Sequence, residues 1–139
     1  MARFGKRSLD NLRNVHPHLV HVLCEAVRTA PVDFTITDGV RTLAQQQALY
    51  AKGRTTAGPK VTNADGVRSV SNHQAKADGY GYAVDLYPYV GGAVDVNDRG
   101  GNLPRIAAHI KSVAAQLGYR VEWGGDWKTF KDMPHFELK

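Results

Sequence analysis

The chain has 139 residues, of which 42% are hydrophobic and 22% are charged. A domain of this size buries about two-thirds of the surface that its unfolded chain exposes, so a packed core needs no cross-links. The single cysteine, Cys24, excludes an intramolecular disulfide and a cysteine-rich zinc knuckle, so a metal site would use histidine and carboxylate ligands. The net charge of +5 favours a polyanionic partner but indicates no chemistry.

In the first third of the chain, the sequence predicts three helices, with one strand between the second and the third. Ser8 is placed to cap a short first helix, and Pro17 suits the first turn of a second helix. The segment "DFTIT" alternates polar and apolar residues, which predicts a half-buried strand. Thr42 and Gln45 have the spacing of a capping box, so a third helix is expected to begin there.

The remainder of the chain predicts a long loop and then mainly strands. Residues 54–79 lack apolar periodicity, as functional or disordered loops do. "YAVDLYPYV" and "AVDV" predict a hairpin with a Gly-Gly turn, and "YRVEW" and "HFEL" predict two final strands. Asn102 is placed to cap the helix between these pairs. We therefore expect an α+β fold, with the N-terminal and mid-chain helices packed on a small antiparallel sheet.

Targeting and linker signals are absent from the sequence. No window approaches the roughly 20 apolar residues of a membrane span, and the basic N-terminus "MARFGKRSLDNL" is not followed by the apolar core of a signal peptide. The expectation is a chain that stays soluble in the cytoplasm unless another protein carries it out. No Pro/Ser linker divides residues 1–139, so one domain is expected.

Histidine and aspartate residues recur at two distant places. His73 and Asp85 bracket the passage from the long loop into a strand, while Asp132 and His135 lie at the start of the last strand. A catalytic zinc site needs about three protein ligands and a carboxylate that is not a ligand and acts as general base. By spacing alone the four residues could be unrelated, since a lone histidine beside a strand is more often a hydrogen-bonded surface group.

The other candidate ligands have simpler explanations. Four histidines lie in helical segments with no acid or second histidine placed to share an ion: His16, His18, His21 and His109. Asp95 and Asp98, near the end of the predicted hairpin, are interpreted as turn and cap residues.

Three motifs carry a family resemblance: Ser71-Asn72-His73, Gly81-Tyr82-Ala83-Val84-Asp85 and Asp132-Met133-Pro134-His135-Phe136-Glu137. They resemble the signature of the zinc-dependent D-Ala-D-Ala carboxypeptidase and L-alanyl-D-glutamate endopeptidase family. With "FGKRSLDNL", "DFTITDGVRT" and "WGGDW", the resemblance runs from Phe4 to Leu138 and is strongest to single-domain bacteriophage endolysins. It implies a zinc peptidase fold of the D-Ala-D-Ala carboxypeptidase/Hedgehog type in one peptidase domain, without a separate cell-wall-binding domain.

The resemblance also implies roles for individual residues. His73, Asp85 and His135 match the Zn²⁺ ligands, and Asp132 matches the general base. Arg41, in "GVRT", matches an arginine that faces the substrate, where a fixed cation can stabilise an oxyanion. The alternative for Arg41 is a surface arginine at a helix start, where the helix dipole makes a cation mildly unfavourable.

Four further residues are candidates for substrate contact or for support of the ligands. Ser71 matches the family's serine beside the first histidine and could orient the loop or contact substrate. Glu137 lies two residues beyond His135, so on a strand it faces the same side and could hold that histidine or pair with a basic residue. Trp123 and Trp127 could wall the cleft, with core packing as the alternative for at least one.

The spacing departs from the family pattern at one place. Relatives usually have a short interval between the first histidine and the aspartate, whereas eleven residues separate His73 from Asp85 here. The insertion contains Asp78, a rival ligand. Asp85 is preferred because "GYAVDLYP" matches the family and a strand holds a ligand more rigidly than a glycine-flanked loop. We expect the insertion to form a longer flap at the rim of the cleft.

The implied function is a zinc metallopeptidase that cleaves the peptidoglycan stem peptide, preferentially at the L-alanyl-D-glutamate bond. As a monomeric phage endolysin, it would wait in the host cytoplasm until a pore-forming protein releases it to the cell wall. The alternatives are a D-Ala-D-Ala carboxypeptidase or dipeptidase and a non-catalytic, zinc-containing wall-binding module. Nucleic-acid binding is disfavoured, because the basic residues are scattered and form no recognised motif.

Overall fold

Residues 2–139, the part of the chain that the computed structural model describes, form four helices and five strands. The elements are α1 Lys6–Asn11, α2 Pro17–Thr29, β1 Phe34–Asp38, α3 Leu43–Ala51, β2 Ala83–Val90, β3 Ala93–Val94, α4 Leu103–Leu117, β4 Val121–Trp123 and β5 His135–Leu138. A 3₁₀ turn, Gly124–Asp126, follows β4. The order and kind of these elements confirm the predicted α+β class.

The sheet is antiparallel, with β2 and β5 at its centre. The strand order is β1-β2-β5-β4, and the short β3 pairs with the end of β2. Asp85 lies directly opposite His135 in the β2–β5 ladder, and it also pairs with Asp38 beside a register shift in β1. Side chains that are directly opposite in an antiparallel pair lie on the same face of the sheet. The register therefore brings Asp85 and His135 together.

The two faces of the sheet have different chemistry. Val84, Leu86, Phe136 and Leu138 belong to the buried core, which also contains the apolar faces of α2 and α4. Because successive strand residues point to opposite faces, the residues between them, such as Asp85, project away from that core. Helices α2 and α4 thus cover one face and leave the other for a polar site.

The helix starts at Pro17 and Thr42 confirm the sequence predictions. Pro17 occupies the first turn of α2, and the Nδ1 atom of His16 accepts a hydrogen bond of 3.0 Å from the amide of His18. At α3, the amide of Gln45 donates to the Thr42 hydroxyl at 3.1 Å, and the amide of Thr42 donates to the Gln45 side chain at 2.8 Å. This reciprocal pair is a capping box.

The cap prediction for Ser8 is wrong, and the one for Asn102 holds for its position alone. Ser8 lies inside α1 and is buried, and its hydroxyl accepts a hydrogen bond of 3.0 Å from the amide of Ile36, which ties α1 to β1. Asn102 is the N-cap residue of α4, but its side chain makes no cap hydrogen bond. Instead, the Asp98 carboxylate accepts from the amides of Asn102 and Leu103 at 2.7 and 3.0 Å. Asp98 therefore has the cap role that its sequence position indicated.

The long loop predicted from composition is confirmed. Between α3 and β2, all of whose intervening residues are described, the chain forms no helix and no strand. The segment is nevertheless anchored, since Gln74 donates a hydrogen bond of 3.1 Å to the carbonyl of Gly66. Separately, none of the helices in residues 2–139 has the length and apolar character needed to cross a membrane.

Candidate metal centre

His73, Asp85 and His135 converge at one point above the sheet. His73 Nε2 lies 3.3 Å from Asp85 Oδ1 and 3.3 Å from His135 Nδ1, and His135 Nδ1 lies 3.6 Å from Asp85 Oδ1. Ligand atoms that bind a tetrahedral zinc ion at about 2.0–2.1 Å lie about 3.4 Å apart. The three atoms thus have the mutual spacing that a small tetrahedral metal ion requires. Two of these residues are buried and Asp85 is partly buried.

The hydrogen bonds on the far side of each imidazole define its tautomer. His73 Nδ1 lies 2.9 Å from the carbonyl oxygen of Gly39, and His135 Nε2 lies 2.7 Å from Glu137 Oε1. A carbonyl and an ionised carboxylate can only accept, so these nitrogens carry the hydrogens. The lone pairs of His73 Nε2 and His135 Nδ1 consequently face Asp85 Oδ1, a buried atom without a hydrogen-bond partner. Three facing acceptors fit a bound cation.

The pKa values indicate that a proton can take the place of that cation. Burial by itself lowers the pKa of His135, but the carboxylates of Asp85 and Glu137 outweigh it and raise that pKa to about 9. Burial opposes the ionisation of Asp85, yet the two imidazoles and Arg41 hold the pKa of this carboxyl well below its usual range. A metal ion that binds here would therefore displace a proton from His135.

Glu137 satisfies both of the roles considered for it. It is 4% exposed and faces the same side of β5 as His135, as the strand spacing predicted. Its Oε2 atom accepts hydrogen bonds from Asn72 at 3.0 Å and from Lys139 at 2.9 Å, while Oε1 holds His135. Burial raises the pKa of Glu137, but His135 and Lys139 outweigh it and lower the pKa to about 2.

The loop before β2 presents His73 through backbone contacts. The amide of Arg41 donates to the His73 carbonyl at 2.8 Å, and the Ser71 hydroxyl accepts from the His73 amide at 3.2 Å. Ser71 also lines the cleft, so both interpretations of this serine agree with its position. The β1–α3 connection that carries Arg41 and Gly39 thus holds the histidine on two sides.

Asp132 lies beside the three converging residues. Its Oδ2 atom is 3.9 Å from His135 Nδ1, and its side chain is 46% exposed. Burial and the negative charge of Asp85 raise the pKa of Asp132, against the opposing charges of His135, His73 and Arg41. An accessible carboxylate with a raised pKa can both take up and release a proton.

Gly124 of the "WGGDW" segment permits this placement of Asp132. The amide of Asp132 donates to the Gly124 carbonyl at 3.1 Å. A Cβ atom at position 124 would lie 2.2 Å from the backbone oxygen of Asp132, closer than real contacts allow. Only glycine therefore lets the two backbone segments approach.

Arg41 is a cleft residue, and the surface-arginine alternative is wrong. Its Nε atom donates to Asp38 at 2.7 Å and an Nη atom donates to Asp85 Oδ2 at 3.3 Å. Its side chain is 15% exposed and lines the cleft. The bond to Oδ2 holds the Asp85 carboxylate so that Oδ1 faces the two imidazoles.

Gln46 is a member of this network that the sequence did not reveal. It is fully buried, and its Oε1 atom accepts from Arg41 at 3.2 Å. Its amide nitrogen donates to the carbonyl of Ala64 at 2.8 Å and contacts the Thr62 hydroxyl at 3.3 Å. Three consecutive glutamines stand in α3, and nothing in their spacing distinguishes the buried one.

The converging residues form the floor of a cleft of about 540 Å³. Trp127 forms one wall, with its ring 5.0 Å from the His135 ring and its Nε1 atom donating to Glu122 at 2.6 Å. Trp123 is instead a core residue, 8% exposed and stacked on Phe136. One tryptophan thus lines the cleft and the other packs in the core, the division that the sequence left open.

A sequence model of the family described as phage L-alanyl-D-glutamate peptidase matches residues 1–138. The chain belongs to this family. It is 35% identical to the peptidoglycan L-alanyl-D-glutamate endopeptidase CwlK of Bacillus subtilis, over 90% of this chain and 74% of that protein. It is 32% identical to the L-alanyl-D-glutamate peptidase of Escherichia phage T5, over 99% of this chain and 89% of that protein.

Solved structures agree with this family assignment. The L-Ala D-Glu endopeptidase ChiX of Serratia marcescens aligns with a TM-score of 0.75 and 35% identity, over 99% of this chain and 90% of that one. The vancomycin-resistance D,D-dipeptidase VanXYg aligns with a TM-score of 0.56 and 18% identity, over 89% of this chain and 50% of that one. The second likeness shows a shared fold alone.

None of the inserted residues 75–80, which depart from the family spacing, lines the cleft, so the flap prediction is wrong. Asp78 is exposed, its carboxylate accepts from the amide of Tyr80 and from the hydroxyl of Tyr82, and it does not belong to the converging group. The amide of His16 donates to the Gly81 carbonyl at 2.9 Å, and the His16 ring contacts both tyrosines. These contacts draw the insertion back onto the start of α2.

The remaining histidines have the structural roles expected for them. His18 stacks on Tyr119 at 4.4 Å, with His21 at the edge of the same ring, and His109 contacts the carbonyl of Ala26 at 3.0 Å. Within residues 2–139, His73, Asp85 and His135 are the one group of three His, Cys, Asp or Glu residues close enough to share an ion.

Proposed function

We propose that this chain is a zinc-dependent peptidase that hydrolyses the L-alanyl-D-glutamate bond of the peptidoglycan stem peptide. The observation that carries the proposal is the facing of His73 Nε2, His135 Nδ1 and Asp85 Oδ1 at the floor of an open cleft. Family membership and relatives named for this bond support the substrate.

His73, Asp85 and His135 would hold the ion. Two imidazoles and one carboxylate form a common donor set of catalytic zinc sites, with a fourth position left for water. A bound Zn²⁺ lowers the pKa of water towards about 7 and polarises a carbonyl oxygen. Gly39 and Glu137 fix the two ring orientations from outside, as partners of metal ligands commonly do.

Asp132 would move the proton. It lies close to the three ligands without being one of them, and its raised pKa brings the carboxyl nearer to the range in which it exchanges protons. It would accept a proton from the attacking water and deliver it to the departing amine. Both transfers need access to the cleft, which the half-exposed side chain has.

Arg41 would supply a fixed positive charge to the oxyanion that develops on the scissile carbonyl. Asp38, Asp85 and Gln46 hold the guanidinium before substrate arrives, so little reorganisation is needed during the reaction. The same bonds orient Asp85. Arg41 thus combines support of a ligand with stabilisation of charge.

In the cell, we propose a phage endolysin that is made in the host cytoplasm and acts on the wall after release. The phage T5 relative supports this assignment, and a net charge of +5 favours encounter with an anionic wall. The proposed enzyme is a monomer, which its chemistry permits because all the residues invoked for it come from one chain.

Two other functions would use the same fold. A D-Ala-D-Ala carboxypeptidase or dipeptidase would share the metal chemistry, but the relatives with the higher identity are named for the L-alanyl-D-glutamate bond. A non-catalytic wall-binding module would need neither Asp132 nor Arg41 in the cleft, and both line it. The peptidase is therefore preferred.

The decisive experiment is digestion of purified peptidoglycan, followed by mass spectrometry of the products. We expect fragments with a new amino-terminal D-glutamate, their loss after chelation, and their return after zinc is added. Release of free D-alanine would instead identify the carboxypeptidase. Digestion that resists chelation would refute the metal proposal, and full lytic activity of Asp132→Asn would refute the role of Asp132.

A further inference from the structure

A second hollow of about 500 Å³ adjoins the cleft. We name it the lysine hollow and define it by Lys60, Val61, Thr62, Trp127, Phe130 and Lys131. It shares Val61, Thr62, Trp127 and Asp132 with the cleft, so the two hollows border each other. A peptide bound across the three converging residues can therefore extend into it.

The charge of the lysine hollow differs from that of the cleft floor. Lys60 and Lys131 line it, and neither forms an ion pair with a described residue; Lys131 donates to the carbonyl of Gly125 at 3.2 Å. Asp132, at the border with the cleft, is the one carboxylate among the described residues that line it. By contrast, Arg41 is held by two carboxylates. The hollow therefore offers two ammonium groups to an incoming anion.

An apolar surface stands beside these cations. Phe130 is 79% exposed and has a φ of 51°, a backbone conformation that is uncommon for a bulky residue. Residues held in such conformations cluster at functional sites, where the surrounding structure maintains them. Together with Trp127, the phenyl ring can pack on the aliphatic part of a bound side chain.

The chemistry of the proposed reaction requires an anion on one side of the bond. In an L-alanyl-D-glutamate bond, glutamate supplies the amine that departs when the bond is hydrolysed. Glutamate has two carboxyl groups, and the peptide continues through only one of them. The leaving side therefore has a free carboxylate within a few bonds of the scissile nitrogen.

The position of Asp132 indicates on which side of the cleft the leaving half of the substrate lies. This residue would deliver the proton to the departing amine, so the leaving side must lie towards it. Asp132 stands where the cleft meets the lysine hollow. Another hollow also reaches Asp132, but it contains Lys131 without Lys60 and has the additional carboxylate of Asp98. The lysine hollow is the better match for an anion.

We propose that the lysine hollow binds the glutamyl side of the scissile bond, and that Lys60 and Lys131 select its free carboxylate. This inference rests on the proposed function, because it requires the L-alanyl-D-glutamate bond to lie over the metal centre. Each lysine contributes an exposed ion pair. Two such pairs are together worth about a tenfold preference for the acid.

The test compares two stem peptides that differ only in this carboxyl, which is free in one and amidated in the other. For the zinc-loaded wild type, we expect kcat/KM to be about tenfold higher for the acid. Lys60→Gln/Lys131→Gln should remove that preference by lowering kcat/KM for the acid alone. Lys52→Gln/Lys128→Gln, which changes the net charge equally at exposed lysines outside both hollows, should retain it.

The ratio of the two kcat/KM values is independent of the fraction of folded enzyme, so partial misfolding of a variant does not obscure the result. If wild type and Lys60→Gln/Lys131→Gln showed the same preference for the acid, the inference would be overturned. An equal fall in kcat/KM for both peptides would overturn it as well. Failure of the proposed function has a different signature, in which the zinc-loaded wild type cleaves neither peptide. In that case the inference fails with it.

Discussion

Glu137 accepts a hydrogen bond of 2.7 Å from Nε2 of His135, two residues earlier on the same strand. The bond leaves the Nδ1 lone pair of His135 pointing at Asp85 and His73. A single carboxylate outside the metal centre thus determines which nitrogen of His135 is available as a ligand. The same carboxylate supplies negative charge close to the proposed ion.

Glu137→Gln is expected to lower zinc affinity by about 10–100-fold, the usual cost of losing a partner of a ligand histidine. The amide can still accept from Nε2, but it lacks the charge and can present its NH₂ group instead. Competition with a fluorescent chelator measures the change. Glu25→Gln, at a partly exposed position of α2, is the control. Unchanged affinity in Glu137→Gln would show that the hydrogen bond contributes nothing to binding.

Zinc binding is expected to release about one proton at pH 7. Below its pKa of about 9, His135 is protonated in the metal-free protein, and the ion must displace that proton. Affinity should therefore rise up to about tenfold per pH unit from pH 7 towards pH 9 and then level off. Calorimetry in two buffers of different ionisation enthalpy counts the proton. Binding enthalpies independent of the buffer would contradict the assignment.

The same proton links the stability of the metal-free protein to pH. The pKa of His135 is raised from 6.5 in the unfolded chain to about 9 in the folded one, so its stabilisation is complete below pH 6.5 and is lost as pH rises through 9. The loss is on the order of 3 kcal/mol. Urea unfolding with a chelator at pH 6 and pH 9 measures it. A free energy of unfolding that increases from pH 6 to pH 9 would contradict this prediction.

Gly124→Ala is expected to reduce kcat/KM by about 100-fold while zinc remains bound, since the added Cβ would clash with the Asp132 backbone and displace the proposed base. Metal content and kcat/KM are measured on the same preparation. Gly5→Ala is the control, because an added Cβ there meets nothing within 4 Å. Loss of zinc together with activity would point to general disruption instead.

Gln46→Leu is expected to destabilise the fold by about 1–3 kcal/mol, the cost of leaving buried hydrogen-bonding partners unpaired. It should also lower kcat/KM, since both Arg41 and the loop at Ala64 lose a partner. Gln47→Leu is a matched control, because this neighbour is exposed. Denaturant unfolding and peptide hydrolysis are the two readouts. If the two variants had the same stability and the same kcat/KM, Gln46 would have no role in the network.

Local signals in the sequence determined the elements of this fold. The capping box at Thr42, the proline at position 17 and the alternation in "DFTIT" act within one or two turns of chain, so composition and spacing suffice to predict them. The motifs around His73, Asp85 and His135 also identified the residues that converge. The Ser8 hydroxyl binds the distant amide of Ile36 instead of capping α1, and Asp98 supplies the capping bond at Asn102, so neither side chain has the cap role that its sequence position indicates.

Tertiary structure alone decided how these residues are brought into one site. The pairing of Asp85 with His135 depends on the register of two strands far apart in sequence, and the tautomers depend on Gly39 and Glu137. Burial separated Gln46 from its two neighbours, and folding placed Lys60 and Lys131 in the lining of one hollow. Long-range register and burial arise only when the core closes, which is why no local pattern encodes them.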